Sequence, residues 1–300
     1  MARDLGGQIA EAVDGAGPDT VLVGLIGKGI QRSRSPAMHM EEARAQGIDL
    51  RYVLFDPDAW SGAEPAVQDM LAAVEAAGFA GVNVTYPYKK AVVAHLDVLS
   101  ESPRQVGAVN TVVFRDGRRH GHNTDFWGYA ESLRRGLPAG PFGTVLLLGA
   151  GGAGSAVAHA LKSLGVRRLL IADTDRDAAA TLAAAAAGAV CVDLAAAAAQ
   201  ADGIVNATPV GMVKLPGTAI DPALLEPRQW VSDVVYFPLE TELLAAARAR
   251  GCTCLNGAGM AVFQAVRAFE LFTGREAVSA RMRATFDAFD HAARAGGERS

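Results

Sequence analysis

The residues best suited to chemistry form a glycine-rich turn at positions 149–154. The apolar run 145–148 precedes it, and a second apolar run, 169–172, follows. In a strand–turn–helix–strand unit, Gly149 permits a tight turn, Gly151 lets a pyrophosphate approach the backbone, and Gly154 lets the helix pack close to the sheet. The helix start offers free N–H groups and a positive dipole end to phosphate. The pattern predicts a dinucleotide site that includes Gly149, Gly151, Gly152, Ala153 and Gly154.

An acidic residue ends the second strand of this unit. Asp173 follows the run 169–172, where a carboxylate accepts hydrogen bonds from a ribose 2′-OH and repels a 2′-phosphate. The segment 173–177 carries three acids and Arg176, which could stack on adenine or reach a phosphate. We expect the acids to dominate, so the sequence predicts NAD, with NADP less favoured. The alternative is a glycine-rich turn that binds nothing.

Polar residues collect at the ends of the predicted strands in the first half of the chain. In an open α/β sheet the carboxyl ends of the strands line the ligand crevice. Hydroxyls, carboxamides, one amine and one carboxylate suit a polyhydroxylated acid, because these groups can donate and accept hydrogen bonds. The candidates are Ser33, Ser35, Asn83, Thr85, Lys89, Asn110 and Asp125.

Each of these residues also has a purely structural explanation. Ser35 and Asp125 could be helix caps, and Asn83 and Asn110 could be turn residues. Lys89 is the most informative, because we expect Pro87 to open a helix and a cation near a helix start meets the unfavourable end of the dipole. That position indicates acid–base chemistry. The neighbouring Lys90 and the packed His39 are expected to stay outside it.

The composition excludes several classes of protein. The length of 300 residues suggests about two domains, and half of the residues are hydrophobic. The net charge of −4 does not indicate a basic surface that would bind nucleic acid. Cys191, Cys252 and Cys254 are too few and too irregularly spaced for a disulfide framework or a zinc site, so we expect no metal. We also expect no membrane span and no signal peptide, hence a cytoplasmic protein.

Strand and helix signals alternate along the chain, which predicts an α/β fold. Strands are predicted at 21–26, 52–55, 80–84, 109–114, 118–122, 145–148, 169–172, 189–191, 203–206, 231–235 and 252–255. Helices are predicted at 35–46, with Ser35 as cap and Pro36 in the first position, and at 64–77, 87–96, 259–273 and 278–293. Asp116 and Gly117 predict a hairpin turn.

This order of elements indicates two domains. Residues 1–125 are predicted to form an N-terminal α/β substrate-binding and catalytic domain, and residues 126–258 a doubly wound, Rossmann-type NAD domain. The helices at 259–293 are expected to pack back on the first domain. We expect the substrate in a cleft between the two domains.

Seven motifs in this order resemble the shikimate dehydrogenase family, and more closely its quinate/shikimate dehydrogenase branch. The resemblance extends from about residue 25 to residue 286, and its motifs lie at 33–39, 81–89, 107–111, 121–125, 149–154, 206–212 and 257–264. It implies that Lys89 and Asp125 are the catalytic pair. It also implies substrate contacts from Ser33, Ser35, Asn83, Thr85, Asn110, Tyr236 and Gln264, and cofactor contacts from Asn206, Thr208, Pro209, Met212, Val234 and Gly257.

The resemblance implies reversible oxidation of a ring hydroxyl of shikimate or quinate to 3-dehydroshikimate or 3-dehydroquinate, with Lys89 or Asp125 as the proton acceptor. The acids at 173–177 depart from the NADP-binding pattern of the biosynthetic enzymes and suit catabolic use of NAD. The quinate-using branch often has threonine where Ser35 stands, which favours shikimate. Two alternatives are an aminoshikimate-type dehydrogenase and a non-catalytic sensor of NAD and a ring acid. As partners we expect only a small-molecule substrate and, at most, a second copy, as either a monomer or a homodimer.

Overall fold

The computed structural model describes residues 4–137 and 143–297. The strands are β1 (Val21–Ile26), β2 (Leu50–Phe55), β3 (Gly81–Val84), β4 (Val98–Leu99), β5 (Thr111–Arg115), β6 (Arg118–His122), β7 (Thr144–Leu148), β8 (Arg168–Ala172), β9 (Ala189–Val190), β10 (Gly203–Asn206), β11 (Trp230–Asp233) and β12 (Thr253–Leu255). The helices are α1 (Leu5–Val13), α2 (Ser35–Ala45), α3 (Val67–Ala76), α4 (Glu101–Val106), α5 (Thr124–Gly136), α6 (Gly152–Ser163), α7 (Arg176–Ala185), α8 (Leu194–Gln200), α9 (Glu242–Ala249), α10 (Ala258–Thr273) and α11 (Ser279–Gly297).

The chain divides into two compact units. The first contains the residues up to Thr124 and those from Ala265 onward, and the second contains Asp125–Gln264. Helix α10 therefore begins in the second unit and ends in the first. The α/β class predicted from the sequence, with its Rossmann-type unit, is confirmed.

The first unit is built on a mixed sheet with strand order β2-β1-β3-β5-β6-β4. Strand β1 pairs in parallel with β2 and β3, whereas β3–β5 and β5–β6 are antiparallel. The predicted hairpin joins β5 and β6, and its turn residues Asp116 and Gly117 have φ values of 54° and 67°. These left-handed conformations are what a two-residue type I′ turn requires.

The second unit carries a parallel sheet with strand order β12-β11-β10-β7-β8-β9. Counted from β7, this is the order 6-5-4-1-2-3 of the Rossmann fold. Val145 and Leu147 of β7 pack into one buried cluster, and Leu146 and Leu148 pack into another. Both faces of the central strand are thus covered, which explains why its sequence is a continuous apolar run.

The helix predicted at 87–96 is wrong. Residues 86–90 form a turn, and a short 3-10 helix follows at Ala91–His95. The carbonyl of Tyr86 accepts from Lys28 N at 3.0 Å, and that of Lys89 accepts from Val109 N at 2.8 Å. Because other segments of the chain occupy these carbonyls, they are not paired within a helix.

Candidate active site

A buried group of polar side chains lies where β3 ends and β5 begins. Asn83 Nδ2 donates to Thr111 Oγ1 at 2.9 Å, and Thr111 Oγ1 donates to Asn110 Oδ1 at 3.2 Å. Asn110 Nδ2 donates to Thr124 Oγ1 at 2.9 Å, and Thr124 N donates to Asn110 Oδ1 at 2.7 Å. All four side chains are buried. The structure therefore brings the candidates Asn83 and Asn110 into one hydrogen-bonded cluster, completed by Thr111 and Thr124.

Tyr52 joins this cluster from β2, although the sequence did not single it out. Its hydroxyl donates to Asn83 Oδ1 at 2.8 Å. Burial raises the pKa of this hydroxyl, and a hydrogen bond with the Ser35 side chain partly opposes the shift. Tyr52 thus touches the candidate substrate residue Asn83 on β3.

His39 supports Tyr52 from the core. The two ring centroids are 5.0 Å apart, and the imidazole also lies near Phe269 and Phe272. Complete burial lowers the pKa of His39 to about 3. The imidazole is therefore neutral at physiological pH and serves as an aromatic packing group.

The serine segment precedes and opens α2. Helix α2 begins at Ser35 and its N-cap is Arg34, so the prediction of Ser35 as the cap is wrong by one position. The hydroxyl of Ser33 instead accepts from Ser35 N at 3.3 Å. Both serines are half-buried, and the Ser33 hydroxyl holds the backbone of Ser35.

Asp56 holds the loop that leads from β1 to these serines. Its buried carboxylate accepts from Gly29 N and Ile30 N, each at 3.0 Å, and from Gln31 Nε2 at 2.9 Å. Arg34 anchors the other end of the segment, because its Nη1 donates to Phe286 O at 3.0 Å. The guanidinium carbon of Arg34 also lies 4.3 Å from the ring centroid of Phe286.

Lys89 lies in the turn after β3, half-buried, while Lys90 beside it is exposed. Thr85, also half-buried, begins this turn, and its N–H donates to Ile26 O at 2.9 Å. The turn is tied down by Tyr88, whose hydroxyl donates to the carboxylate of Glu64. Lys28 pairs with the same carboxylate at 2.6 Å.

Three further candidates belong to the second unit. Asp125 lies in the first turn of α5 and is 8% exposed. Gln264 lies on α10, where its Nε2 donates to Ala261 O at 3.1 Å. Tyr236 follows β11 and is 43% exposed. Because Lys89 belongs to the first unit and Asp125 to the second, their role as a pair remains a prediction.

The glycine turn has two glycines that the fold requires and two that it does not. Gly149 has φ +102°, and a Cβ at Gly154 would lie 2.1 Å from the carbonyl oxygen of Gly149. A Cβ at Gly151 or Gly152 would meet no atom within 4 Å. Gly151 is the N-cap of α6 and supplies no side-chain bond to the N–H groups of the first helical turn, which includes Ala153. This open space before a helix N-terminus fits the phosphates of a dinucleotide.

Asp173 lies beside this turn. Its carboxylate accepts from Ala150 N at 2.6 Å and from Asp175 N at 2.9 Å. Burial raises the pKa of Asp173, but these N–H donors outweigh it, so the pKa lies below its ordinary value. Asp173 is therefore ionised at neutral pH. Asp175 caps α7 by accepting from Asp177 N and Ala178 N.

The loop that follows β10 lies next to the glycine turn. A Cβ at Gly149 would lie 2.8 Å from Ala207 O. Asn206 is fully buried, and its amide bonds to Val210 O, Asp233 Oδ1, Thr208 N and Thr208 Oγ1 at 2.7–3.0 Å. Asn206 thus stabilises the loop after β10 from inside, through its hydrogen bonds to Thr208 and Val210.

The remaining cofactor candidates lie in this loop or follow strands β8, β11 and β12. Thr208 is half-buried, and Pro209 and Met212 are exposed. A Cβ at Gly257 would lie 2.4 Å from Val234 O, so glycine is required where these two candidates meet. Arg176 is exposed at the start of α7.

Sequence reasoning missed Tyr52 and Asp56 and did not separate Thr111 from its neighbour Asn110. Tyr52 lies inside a strand, where a tyrosine is an ordinary core residue. Asp56 follows β2 directly, and this place at a strand's carboxyl end was the signal that could have found it. Within the described ranges 4–137 and 143–297, no helix is long and apolar enough to cross a membrane. The same residues contain no cluster of His, Cys, Asp and Glu that could hold a metal ion.

Two family models match the chain. The model described as the shikimate dehydrogenase substrate binding domain matches residues 25–112. The model described as the shikimate 5'-dehydrogenase C-terminal domain matches residues 257–285.

Curated relatives and solved structures match over most of the chain. A shikimate dehydrogenase (NADP(+)) from Streptomyces avermitilis is 51% identical over 273 residues, which cover 88% of this chain and 94% of the relative. A quinate/shikimate dehydrogenase (NAD(+)) from Corynebacterium efficiens is 49% identical, with 89% and 98% covered. The structure of quinate dehydrogenase from Corynebacterium glutamicum in complex with NAD matches with a TM-score of 0.86 and 46% identity, covering 90% of this chain and 99% of that one.

These relatives agree with the motifs and with the Rossmann-type unit, and they confirm the resemblance inferred from the sequence. The chain belongs to the shikimate dehydrogenase family of oxidoreductases.

Proposed function

We propose that the protein catalyses the reversible, NAD-dependent oxidation of a ring hydroxyl of shikimate to give 3-dehydroshikimate, with quinate as a second substrate. The observation that carries this proposal is the similarity along nearly the whole chain to a quinate/shikimate dehydrogenase (NAD(+)). The buried cluster of Asn83, Thr111, Asn110 and Thr124 supports it, because such a set of amides and hydroxyls suits a polyhydroxylated ring.

The preference for NAD rests on Asp173. Its carboxylate is held in the ionised form beside the glycine turn, where it can accept a bond from a ribose 2′-OH and repels a 2′-phosphate. Some relatives are named with NADP(+) and others with NAD(+). We therefore base the choice of NAD on the negative charge of Asp173. Gly149, Gly151, Gly152, Ala153 and Gly154 would hold the pyrophosphate. Thr208, Pro209, Met212, Val234 and Gly257 would line the rest of the cofactor, with Asn206 supporting their loop.

The protein's own share of the chemistry is positioning and proton transfer. A bound nicotinamide supplies the acceptor for the hydride that leaves the ring carbon. Lys89, as the neutral amine, takes the proton of the reacting hydroxyl, and its ammonium returns the proton in the reverse direction. Asp125 orients the lysine and the hydroxyl. Proton transfer to Asp125 itself is the other arrangement.

The substrate ring would be held by Ser33, Ser35, Asn83, Thr85, Asn110, Tyr236 and Gln264. Ser35 lacks the methyl group of threonine, the residue expected at this position in enzymes that use quinate. We therefore place shikimate ahead of quinate.

The function is tested by initial rates of reduced-cofactor formation with shikimate and with quinate, each with NAD⁺ and with NADP⁺. The proposal expects the highest kcat/KM for shikimate with NAD⁺. Turnover of neither ring acid with either cofactor would refute the proposed activity. A higher kcat/KM with NADP⁺ would refute only the cofactor preference.

The role of Lys89 is tested with a matched pair of variants. We expect Lys89→Ala to lose at least about 100-fold in kcat, because a positioned acid–base group contributes 10²–10⁴-fold, while the Kd for shikimate changes little. Lys90→Ala removes the adjacent exposed amine and should keep wild-type kinetics. A fully active Lys89→Ala enzyme would overturn the assignment.

A further inference from the structure

Thr111 is a single hydroxyl in contact with two candidate substrate residues. It stands directly opposite Asn83 in the antiparallel pairing of β3 with β5, and it is fully buried. Its Oγ1 accepts from Asn83 Nδ2 at 2.9 Å and lies 3.2 Å from Asn110 Oδ1, to which it donates. A hydroxyl can do both at once, whereas an apolar side chain of the same size can do neither.

Backbone groups determine which way both amides face. Thr124 N can only donate, and it lies 2.7 Å from Asn110 Oδ1, so this atom must be the oxygen. The carbonyl of Asn110 can only accept, and it lies 3.4 Å from Asn83 Nδ2, so this atom must be the nitrogen. Tyr52 then donates to Asn83 Oδ1 at 2.8 Å. The bonds that run from Tyr52 through Asn83, Thr111 and Asn110 to Thr124 each pair a donor with an acceptor. Thr111 Oγ1 also lies 3.3 Å from Thr124 Oγ1, where either hydroxyl could donate.

In this orientation, the Asn83 and Asn110 amides each keep a defined hydrogen-bonding capacity for a ligand. Asn110 Oδ1 already accepts from Thr124 N and Thr111 Oγ1, and one of its two Nδ2 hydrogens goes to Thr124 Oγ1. Both Nδ2 hydrogens of Asn83 face acceptors, and Tyr52 occupies one lone pair of its Oδ1. Asn110 is thus prepared to donate one N–H, and Asn83 to accept one hydrogen bond. Ring hydroxyls, which both accept and donate, match this pair.

We infer that Thr111, assisted by Tyr52, is a positioning residue that holds Asn83 as an acceptor and Asn110 as a donor toward the ring hydroxyls of the substrate. The inference rests on the proposed function, in which both asparagines bind the ring. Without the Thr111 hydroxyl, Asn83 Nδ2 loses its short bond and Asn110 Oδ1 loses one donor. Both amides then gain rotational freedom, which must be lost again when substrate binds.

The test compares Thr111→Val, which keeps the branched shape and removes the hydroxyl, with Thr111→Ser, which keeps the hydroxyl and removes the methyl. For Thr111→Val we expect KM and Kd for shikimate to rise about tenfold, because a tenfold change in Kd corresponds to the free energy of one well-placed buried hydrogen bond. KM for NAD⁺ should stay within about twofold. Thr111→Ser should restore the wild-type values to within about threefold. A purely structural role would not separate the two variants in this way.

Several results would overturn the inference. These are a folded Thr111→Val with unchanged KM and Kd for shikimate, and a Thr111→Ser that is impaired as much as Thr111→Val. If circular dichroism shows that Thr111→Val does not fold, Tyr52→Phe replaces it, with an expected rise of about threefold in Kd, and an unchanged Kd overturns the inference. Calorimetric binding of shikimate needs no turnover, so a wild-type protein that binds but does not oxidise shikimate would refute the proposed function alone.

Discussion

The two kinds of glycine in the turn at 149–154 predict opposite outcomes for the same substitution. A Cβ at Gly154 would lie 2.1 Å from the backbone oxygen of Gly149. Since non-bonded carbon and oxygen atoms rarely approach within about 3 Å, the helix must move by about 1 Å, and overpacking of this kind costs about 1–3 kcal/mol. Gly154→Ala should therefore lower the free energy of unfolding by about 2 kcal/mol.

Gly151→Ala should leave the fold intact. Gly151 has φ −73°, which alanine adopts freely, and a Cβ there meets no atom within 4 Å. Because Gly151 is the N-cap of α6, where alanine is less favourable than glycine, we expect a cost of no more than about 1 kcal/mol. The added methyl group would, however, occupy space that the pyrophosphate needs. We expect KM for NAD⁺ to rise at least about tenfold while KM for shikimate changes little.

The assay combines chemical denaturation without cofactor and steady-state titration of NAD⁺, each on the wild type and both variants. Gly151→Ala with unchanged KM for NAD⁺ would refute the assignment of this turn to the cofactor. Gly154→Ala with wild-type stability would refute the steric argument.

The remaining predictions concern charge. Asp173→Asn keeps an acceptor for Ala150 N and removes the negative charge. The ratio of kcat/KM for NADP⁺ to kcat/KM for NAD⁺ should therefore rise about tenfold. An unchanged ratio in steady-state assays would contradict the role of the charge. His39, with its pKa lowered to about 3 by burial, stays neutral in the folded protein while the unfolded chain takes up a proton below its ordinary value of 6.5. Stability should fall by up to about 1.4 kcal/mol per pH unit from about pH 6 toward pH 3, and denaturation of His39→Leu across this range should show a shallower slope. His122, whose pKa burial lowers to about 4, adds a slope of the same sign in both proteins, and equal slopes would refute the contribution of His39.

The sequence predicted those parts of the fold that rest on local patterns. The run at 145–148 alternates between two buried clusters, so its continuous apolar character was enough to indicate a central parallel strand. Asp116 and Gly117 predicted their hairpin because few residues adopt two successive positive φ angles.

Contacts between distant segments could not be predicted in the same way. The turn at 86–90 looked like a helix start because Pro87 suits that position, but Lys28 and Val109 bind its carbonyls from other parts of the chain. Thr111 looked no different from any strand threonine until the pairing with β3 set it against Asn83. Lys89 and Asp125 were singled out from the sequence by residue type and resemblance, and their roles still await the kinetic tests.

The central claim is that hydride passes directly from the ring carbon of shikimate to the nicotinamide. It is tested most directly with shikimate deuterated at the carbon that becomes the ketone, followed by mass analysis of the reduced cofactor after a single turnover. We predict one deuterium per molecule of reduced NAD and a slower transfer step than with unlabelled shikimate. Reduced NAD without deuterium, or no reduction at all by the folded protein, would contradict the proposed reaction.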